Sequence, residues 1–383
     1  MNLLIVDNKP IRRGAQMFGQ HFKEYLNSNG HECRRVFLYH PGEETSELPR
    51  DDKDALLQGN KNHPFELFPS VQPKLCRKLA AQINEFSPDV VLLNGGRAVK
   101  YGAAVKRWFY QGRAVFVVRI IDSVVYWNTS KIRQWYSRYV ATPQMDGAVG
   151  VGDKALREYR GLYGFDGPGT AIPRAFNFSE FSEQQSKAEA RESLEEDAAG
   201  RVVLFLGNIT QQKRPDRFVR VFHDVQERVP DVRAWIVGDG MLRKKTEELV
   251  QQLGLTQKIR FFGYQKKVQP FITGSDLLYI SSDTEGVPGI ALESLYLERP
   301  VVTTKAGDVG MVVINGKTGY LCDPDAHTDQ AEKITELLLD EDKAAEMGRE
   351  GRQHVIRNFN LSDLAGKYLR FFEDVQQKRN SSG

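Results

Sequence analysis

Short apolar runs alternate with longer stretches in which apolar residues recur at helical spacing, along the whole 383-residue chain. Leu3 to Val6, Pro88 to Asn94, Ala114 to Ile121, Arg201 to Leu206, Ala234 to Val237, Leu277 to Ile280 and Val301 to Thr304 read as buried strands. Between them, Met17 to Asn27, Pro73 to Phe86, Lys154 to Tyr163, Gln330 to Leu339 and Lys343 to Asn358 carry a helical period. Apolar strands separated by helices point to parallel sheets covered on both faces, an α/β class. The length predicts two domains rather than one. Residues 41 to 74, with scattered Pro, Asp, Glu and Asn, interrupt the alternation and read as a long irregular connection. Residues 182 to 199 are polar and read as a hinge with a short helix, setting domains at 1–182 and 199–358. The last helical stretch spans Leu361 to Gln377, and the tail from Lys378 to Gly383 reads as disordered.

Composition narrows the class further. No apolar run reaches the roughly 18 residues of a membrane-spanning helix. Met1 to Asp7 lacks a basic leader and reads as a first strand rather than a signal peptide. Cys33, Cys76 and Cys322 have neither disulfide-framework nor metal-ligand spacing, which fits buried thiols in a reducing cytoplasm. The net charge of +3 is unevenly placed: residues 1–180 carry 25 Lys and Arg against 18 Asp and Glu, residues 181–383 carry 28 against 32. A basic first half suits an anionic partner, a phosphorylated acceptor or an acidic membrane surface reached from the cytoplasmic side. No nucleic-acid motif accompanies the charge.

The sharpest chemical signal follows the strand that ends at Ser281 and Ser282. Asp283-Thr284-Glu285-Gly286-Val287-Pro288-Gly289 turns the chain into an apolar helical segment, Ile290 to Leu297. Unpaired N–H groups and the helix dipole make such a start a site for anions. Pro288 removes one N–H, so Gly289 and Ile290, followed by Ala291, are the first donors. Glu285 on the loop and Glu293 about a turn inside the helix bracket this start with seven residues between them. Carboxylates repel phosphate but accept hydrogen bonds from hydroxyls, so the stretch points to a nucleotide sugar with one glutamate on each sugar ring. Glu-x7-Glu alone is common by chance; its flanking sequence gives it weight.

With Arg299-Pro300-Val301-Val302 and Asn315-Gly316-Lys317-Thr318-Gly319-Tyr320-Leu321 following in order, the stretch resembles the GT-B retaining glycosyltransferases of glycosyltransferase family 4. The resemblance implies two Rossmann-like domains facing each other across a cleft, with the C-terminal helix crossing back to the first. It implies a metal-independent hexosyl transfer from a nucleotide-diphosphate sugar, UDP or GDP, with no cofactor. The implied acceptor is a saccharide or lipid-linked saccharide of surface polysaccharide or lipopolysaccharide biosynthesis. By the same resemblance Lys213 meets the diphosphate, Glu285 holds the transferred sugar and Glu293 takes the ribose. Gly14 stands in the loop facing the donor phosphates, Gly238-Asp239-Gly240 lets backbone approach the nucleotide, and Tyr264 or Val268 flanks the base.

The chain also departs from the family pattern. Asn208 stands where an arginine usually does, five residues before Lys213, and Arg214 is the cation available to replace its charge. Arg12 and Arg13 replace small residues beside Gly14, Arg174 and Ala175 replace Asn and Gly, and Gly310 replaces a glutamate. No histidine occurs between 64 and 222, so the strand end that usually presents one carries Arg119 and Asp122 instead. Arg97 follows Gly95-Gly96 at the carboxyl end of a strand, where ligands bind in open α/β sheets. Arg13, Arg97, Arg119, Asp122 and Arg174 are therefore the acceptor-side candidates. Trp127 to Tyr139 mixes aromatic and basic residues; it reads as a helix packing its rings on the sheet, with contact to a membrane surface as the alternative. Asp323-Pro324-Asp325 reads as a turn and helix cap rather than a metal site. Two other functions fit the same fold. A sugar-nucleotide epimerase or hydrolase would need an acid or base in the first domain. A non-catalytic sugar-nucleotide-binding homologue is favoured by Asn208, Gly310 and the missing histidine, and opposed by Glu285, Glu293 and Lys213.

Overall fold

A computed structural model describes residues 1–11, 14–42, 47–48, 50–66, 70–181, 185–197 and 200–382. The chain divides into two units, Met1–Ala175 with Leu361–Gly383, and Phe176–Asn360.

The first unit is built on seven strands: β1 (Asn2–Asp7), β2 (Glu32–Tyr39), β3 (Ala55–Gly59), β4 (Val90–Asn94), β5 (Val115–Ile120), β6 (Gly147–Gly150) and β7 (Gly169–Ala171). They pair in parallel in the order β3-β2-β1-β4-β5-β6-β7, with Leu3 opposite both Cys33 and Val90. Every residue of β4 and β5 is buried, as the apolar runs require of strands covered on both faces. One covering layer joins helix Gly14–Ser28 to the C-terminal helix Leu361–Ser382 through Phe18, Phe22, Tyr368 and Phe372. The rings of Phe18 and Phe22 lie 5.3 and 5.1 Å from that of Tyr368. Each such buried ring contributes on the order of 2 kcal/mol relative to exposure.

Three expectations for this unit are corrected. The stretch 41 to 74 is not wholly irregular. It contains the edge strand β3, docked by buried charge: Asp54, just before it, pairs with Arg35 on β2 at 2.5 Å and with Lys23 at 2.5 Å. Nor does the C-terminal helix end at Gln377. It runs to Ser382, where Arg379 bonds the Ala114 carbonyl and lies 3.6 Å from Asp146. Finally, the aromatics of 127 to 139 do not pack on the sheet. Tyr136 is buried, while Trp127, Trp135 and Tyr139 are exposed.

The second unit carries six parallel strands, β8 (Arg201–Leu206), β9 (Val232–Val237), β10 (Ile259–Gly263), β11 (Leu277–Ile280), β12 (Val301–Thr304) and β13 (Gly319–Cys322), in the order β10-β9-β8-β11-β12-β13. Its core gathers Phe218, Phe222, Ile236, Tyr279 and Leu337. It begins at Phe176, earlier than the polar stretch read as a hinge. Phe176 stacks on Phe181 at 5.1 Å, meets Tyr296 at 5.3 Å and donates its N–H to the Phe359 carbonyl. The short helix expected within 182–199 is Lys187–Ser193, started by a capping box of Ser186 and Glu189. It is docked rather than free, because buried Arg191 donates to the carbonyls of Gly274 and Gly200.

In each sheet the strand order reverses beside the unit's first strand, between β1 and β4 and between β8 and β11. Side chains on the loops leaving these strands are brought together outside the carboxyl ends, the place where open α/β sheets bind ligands. Among the described residues no helix is long and apolar enough to cross a membrane.

Candidate functional site

At the reversal in the second sheet, the loops after β8 and β11 are sewn together. The chain leaves β8 through a 3-10 turn, Gln211–Lys213, and Arg214 at φ 49° opens helix Pro215–Arg228. That left-handed conformation is held by contacts from the other loop. Ser281 Oγ donates to the carbonyls of Lys213 and Arg214 at 2.9 and 3.0 Å, and Arg217 donates to the Ser281 carbonyl at 2.6 Å. Gln212 Nε2 donates to the Thr284 carbonyl at 2.8 Å, and the Asp283 N–H returns to the Gln212 carbonyl at 2.9 Å.

This stitching brings Lys213 Nζ to 2.5 Å from Glu285 Oε1, and Ser282 Oγ donates to the same oxygen at 2.6 Å. Glu285 is only 6 % exposed, so one cation and one hydroxyl offset the removal of its charge from water. Arg214 is the cation that follows exposed Asn208 and Lys213 in the chain. Its guanidinium is committed to Asp216 at 2.9 Å and Asp283 at 3.2 Å, because its left-handed backbone aims it along its own helix start. Helix Gly289–Tyr296 begins beside Glu285 with Pro288 as its cap residue and no side-chain cap. The Ala291 N–H turns back to the Pro288 carbonyl at 3.1 Å, so Ala291 is withdrawn from the donor set and the helix start offers Gly289 and Ile290. Glu293 is half-buried on the next turn.

Two close approaches fix these loops. Gly307, after β12, has φ 64°, and a Cβ there would lie 1.7 Å from the Glu285 carbonyl oxygen, which the Asp308 N–H also reaches at 3.1 Å. Gly238 has φ 140°, and its Cβ would lie 1.9 Å from the Gly207 carbonyl oxygen. The Gly238-Asp239-Gly240 turn thus runs against the loop after β8, with the Ile209 N–H donating to the Asp239 carbonyl at 2.9 Å. Tyr264 is exposed just past β10, and Val268 caps helix Gln269–Gly274. Asp323 makes the expected turn but caps no helix: helix His327–Leu339 starts from Ala326, and the Asp323 carboxylate lies 3.3 Å from Lys305. Ser282, Gln212, Arg217 and Gly307 were not singled out in the sequence. The one signal was the polar pair Ser281-Ser282 closing an otherwise apolar strand.

In the first unit, Gly14 opens its helix against Arg174, whose Nη1 would lie 3.2 Å from a Cβ at Gly14. Arg97 stands in the first turn of helix Gly96–Trp108, 5.4 Å from the Tyr39 ring centre, with Nη1 buried and making no hydrogen bond among the described residues. Asp122 accepts from the Ser123 N–H at 2.7 Å and from Trp127 Nε1 at 2.8 Å. Arg119 is corrected as an acceptor-side residue. It is 2 % exposed, lies over the Phe18 ring, and donates to Tyr368 Oη at 3.1 Å and Asn94 Oδ1 at 3.0 Å, bracing β5, β4 and the C-terminal helix. Below it Asp7 is fully buried and accepts from Asn94 Nδ2 at 2.7 Å. Burial pushes its carboxyl up to about 7, against the opposing pull of Asn94, Arg35 and Arg119. Arg12 and Arg13 lie outside the described residues.

Residues 186–354 match the glycosyl transferases group 1 model. The matched stretch lies within the second unit. An N-acetyl-alpha-D-glucosaminyl L-malate synthase of Bacillus anthracis is 28 % identical over 175 residues, 46 % of each chain. The lipopolysaccharide core biosynthesis glycosyltransferase LpsE of Rhizobium meliloti is 26 % identical over 182 residues, 47 % of this chain and 52 % of that one. The chain spans about half the length of the curated relatives it matches. Among solved structures, Anabaena Alr3699/HepE in complex with UDP and glucose superposes with a TM-score of 0.81 at 18 % identity, over 98 % of this chain and 100 % of that one. Sucrose-phosphate synthase from Thermosynechococcus elongatus gives 0.81 at 17 % identity, over 98 % and 99 %. The chain has the GT-B fold.

Proposed function

We propose that this chain is a retaining glycosyltransferase that moves a hexose from a UDP- or GDP-sugar to a saccharide or lipid-linked acceptor. The observation that most supports this is the Lys213–Glu285 contact beside the uncapped start of helix Gly289–Tyr296. In this reading the donor diphosphate takes the N–H groups of Gly289 and Ile290 and draws Lys213 to itself. Glu285 Oε1 is then released to accept from a hydroxyl of the sugar. The bond from the anomeric carbon to phosphate oxygen breaks with its electron pair going to that oxygen. The acceptor oxygen bonds to the carbon on the same face, and its proton passes to the leaving phosphate. Lys213 and the amides, fixed before reaction, stabilise the charge that gathers there. The reading gives no role to a metal or cofactor. Glu293 takes the ribose hydroxyls, Tyr264 or Val268 flanks the base, and Arg97, Asp122 and Arg174 serve the acceptor.

Names among the similar proteins support the finer assignment. LpsE acts in lipopolysaccharide core biosynthesis, and HepE was solved with UDP and glucose. A cytoplasmic enzyme of surface polysaccharide synthesis, peripheral on the membrane, follows from this reading. The test is a panel of UDP- and GDP-sugars assayed for nucleotide release with and without saccharide acceptors, with the product anomer read by NMR. Acceptor-dependent release with a retained anomer is expected. An inverted product sinks retention, and epimer or free sugar formed without acceptor establishes the epimerase or hydrolase reading instead.

A further inference from the structure

Between Ile121 and Tyr139 lie seven of the thirteen large hydrophobic side chains exposed among the described residues. Trp127, Ile132, Trp135 and Tyr139 are each between 55 % and 59 % exposed. They sit on successive short elements: helix Val124–Trp127, helix Lys131–Tyr136, and the turn Ser137–Ala141. Gln134 Nε2 ties these together by donating to the Asn128 carbonyl at 2.7 Å, and Asn128 Nδ2 anchors the connection on Tyr163 at 2.6 Å. The segment is therefore ordered with its rings outward, forgoing the stabilisation that burial would bring. Clustered exposure of this kind marks an interaction surface.

Charge on the same segment indicates the partner. Lys131, Arg133 and Arg138 are exposed, and the segment's one acid, Asp122, already accepts from Ser123 and Trp127. The first unit as a whole carries 29 Lys and Arg against 20 Asp and Glu. Trp and Tyr with a basic fringe are the residues that settle at the headgroup level of a bilayer. A second copy fits less well, since a two-fold contact would set these cations against themselves.

We propose that the Ile121–Tyr139 segment docks on an anionic lipid bilayer, its exposed rings entering the headgroup layer and its three cations meeting lipid phosphates. The inference stands on this surface alone and is independent of which sugar is moved. Co-sedimentation of the full chain with phosphatidylcholine vesicles, with and without phosphatidylglycerol, tests it. Binding to the mixed vesicles but not the neutral ones is expected, with a blue shift of tryptophan emission. Lys131→Gln/Arg133→Gln/Arg138→Gln should weaken partition about 100-fold, and Trp127→Ser/Trp135→Ser should abolish the blue shift. Both variants change exposed side chains, and circular dichroism checks that each is folded. Equal binding to neutral vesicles, or unchanged binding by the folded charge variant, overturns the proposal. So does a concentration-dependent dimer, lost on Trp127→Ser/Trp135→Ser, in a protein that ignores vesicles.

Discussion

Lys213 and Glu285 are 72 residues apart in the chain and 2.5 Å apart in the fold. Neither loop would hold its residue there alone. Ser281 and Gln212 bind one loop to the other, and Gly307 admits the Glu285 carbonyl. Lys213→Ala leaves a buried carboxylate with Ser282 as its remaining described side-chain donor. Because Lys213 is itself partly exposed, the loss of stability should be about 1–3 kcal/mol, below that of a fully buried pair. Urea melts of Lys213→Ala, Glu285→Ala and the double variant should show coupling of about 1 kcal/mol or more. Strict additivity would mean that the two side chains do not interact in solution.

Glu285→Gln separates sugar handling from nucleotide binding. The amide keeps the shape of the carboxylate and removes the charge that competes with diphosphate for Lys213. Free UDP should therefore bind the variant at least as tightly as the parent, while transfer falls about 100-fold or more. Calorimetry with UDP and a turnover assay read the two effects apart. A variant that loses UDP affinity and transfer in equal measure would place Glu285 on the nucleotide instead.

How much of this was legible beforehand differs between the units. In the second, each strand is a short apolar run followed at once by its loop, so Lys213, Glu285 and the Gly289 helix start could be placed at strand ends by pattern alone. What pattern does not carry is direction. Arg214 and Lys213 are neighbours, yet the left-handed backbone at 214 aims one at Asp216 and Asp283 and leaves the other to Glu285. In the first unit Arg119 stands at a strand end like a ligand residue, but faces Phe18 and Tyr368 because the C-terminal helix returns over it. That contact joins positions 249 apart, and no local periodicity announces it. The edge strand β3 was missed for a related reason. Of its five residues Leu57 is the buried one, and the buried pair Arg35–Asp54 just before it helps to hold it to the sheet.

Gly307→Ala tests whether the loop after β12 fixes Glu285. Its backbone is left-handed and a Cβ would enter the Glu285 carbonyl, so the loop must move. A loss of roughly 3 kcal/mol or more is expected, together with loss of transfer. Gly316→Ala is the control, since its φ of 74° is equally left-handed but no atom lies within 4 Å of the added methyl. Backbone strain alone should cost it about 1–2 kcal/mol. Equal melting temperatures for the two variants would show that the loop yields freely and does not fix Glu285.

Asp7 gives the first unit a pH dependence of unusual sign. Burial raises its carboxyl from 3.8 to about 7, so the folded protein holds this proton over a range where the unfolded chain has released it. Between about pH 4 and pH 7 the folded state binds more protons, and stability falls as pH rises through that window. The full effect is on the order of a few kcal/mol, present below about pH 4 and lost above about pH 7. Asp7→Asn retains an oxygen for Asn94 Nδ2 and carries no charge at any pH. The variant should match the parent near pH 4 and become progressively more stable than it towards pH 8. Thermal melts of both proteins across that range measure the difference directly, cancelling the titration of every other group. A difference that stays constant with pH would show that Asp7 is ionised throughout, held so by Arg119 and Arg35.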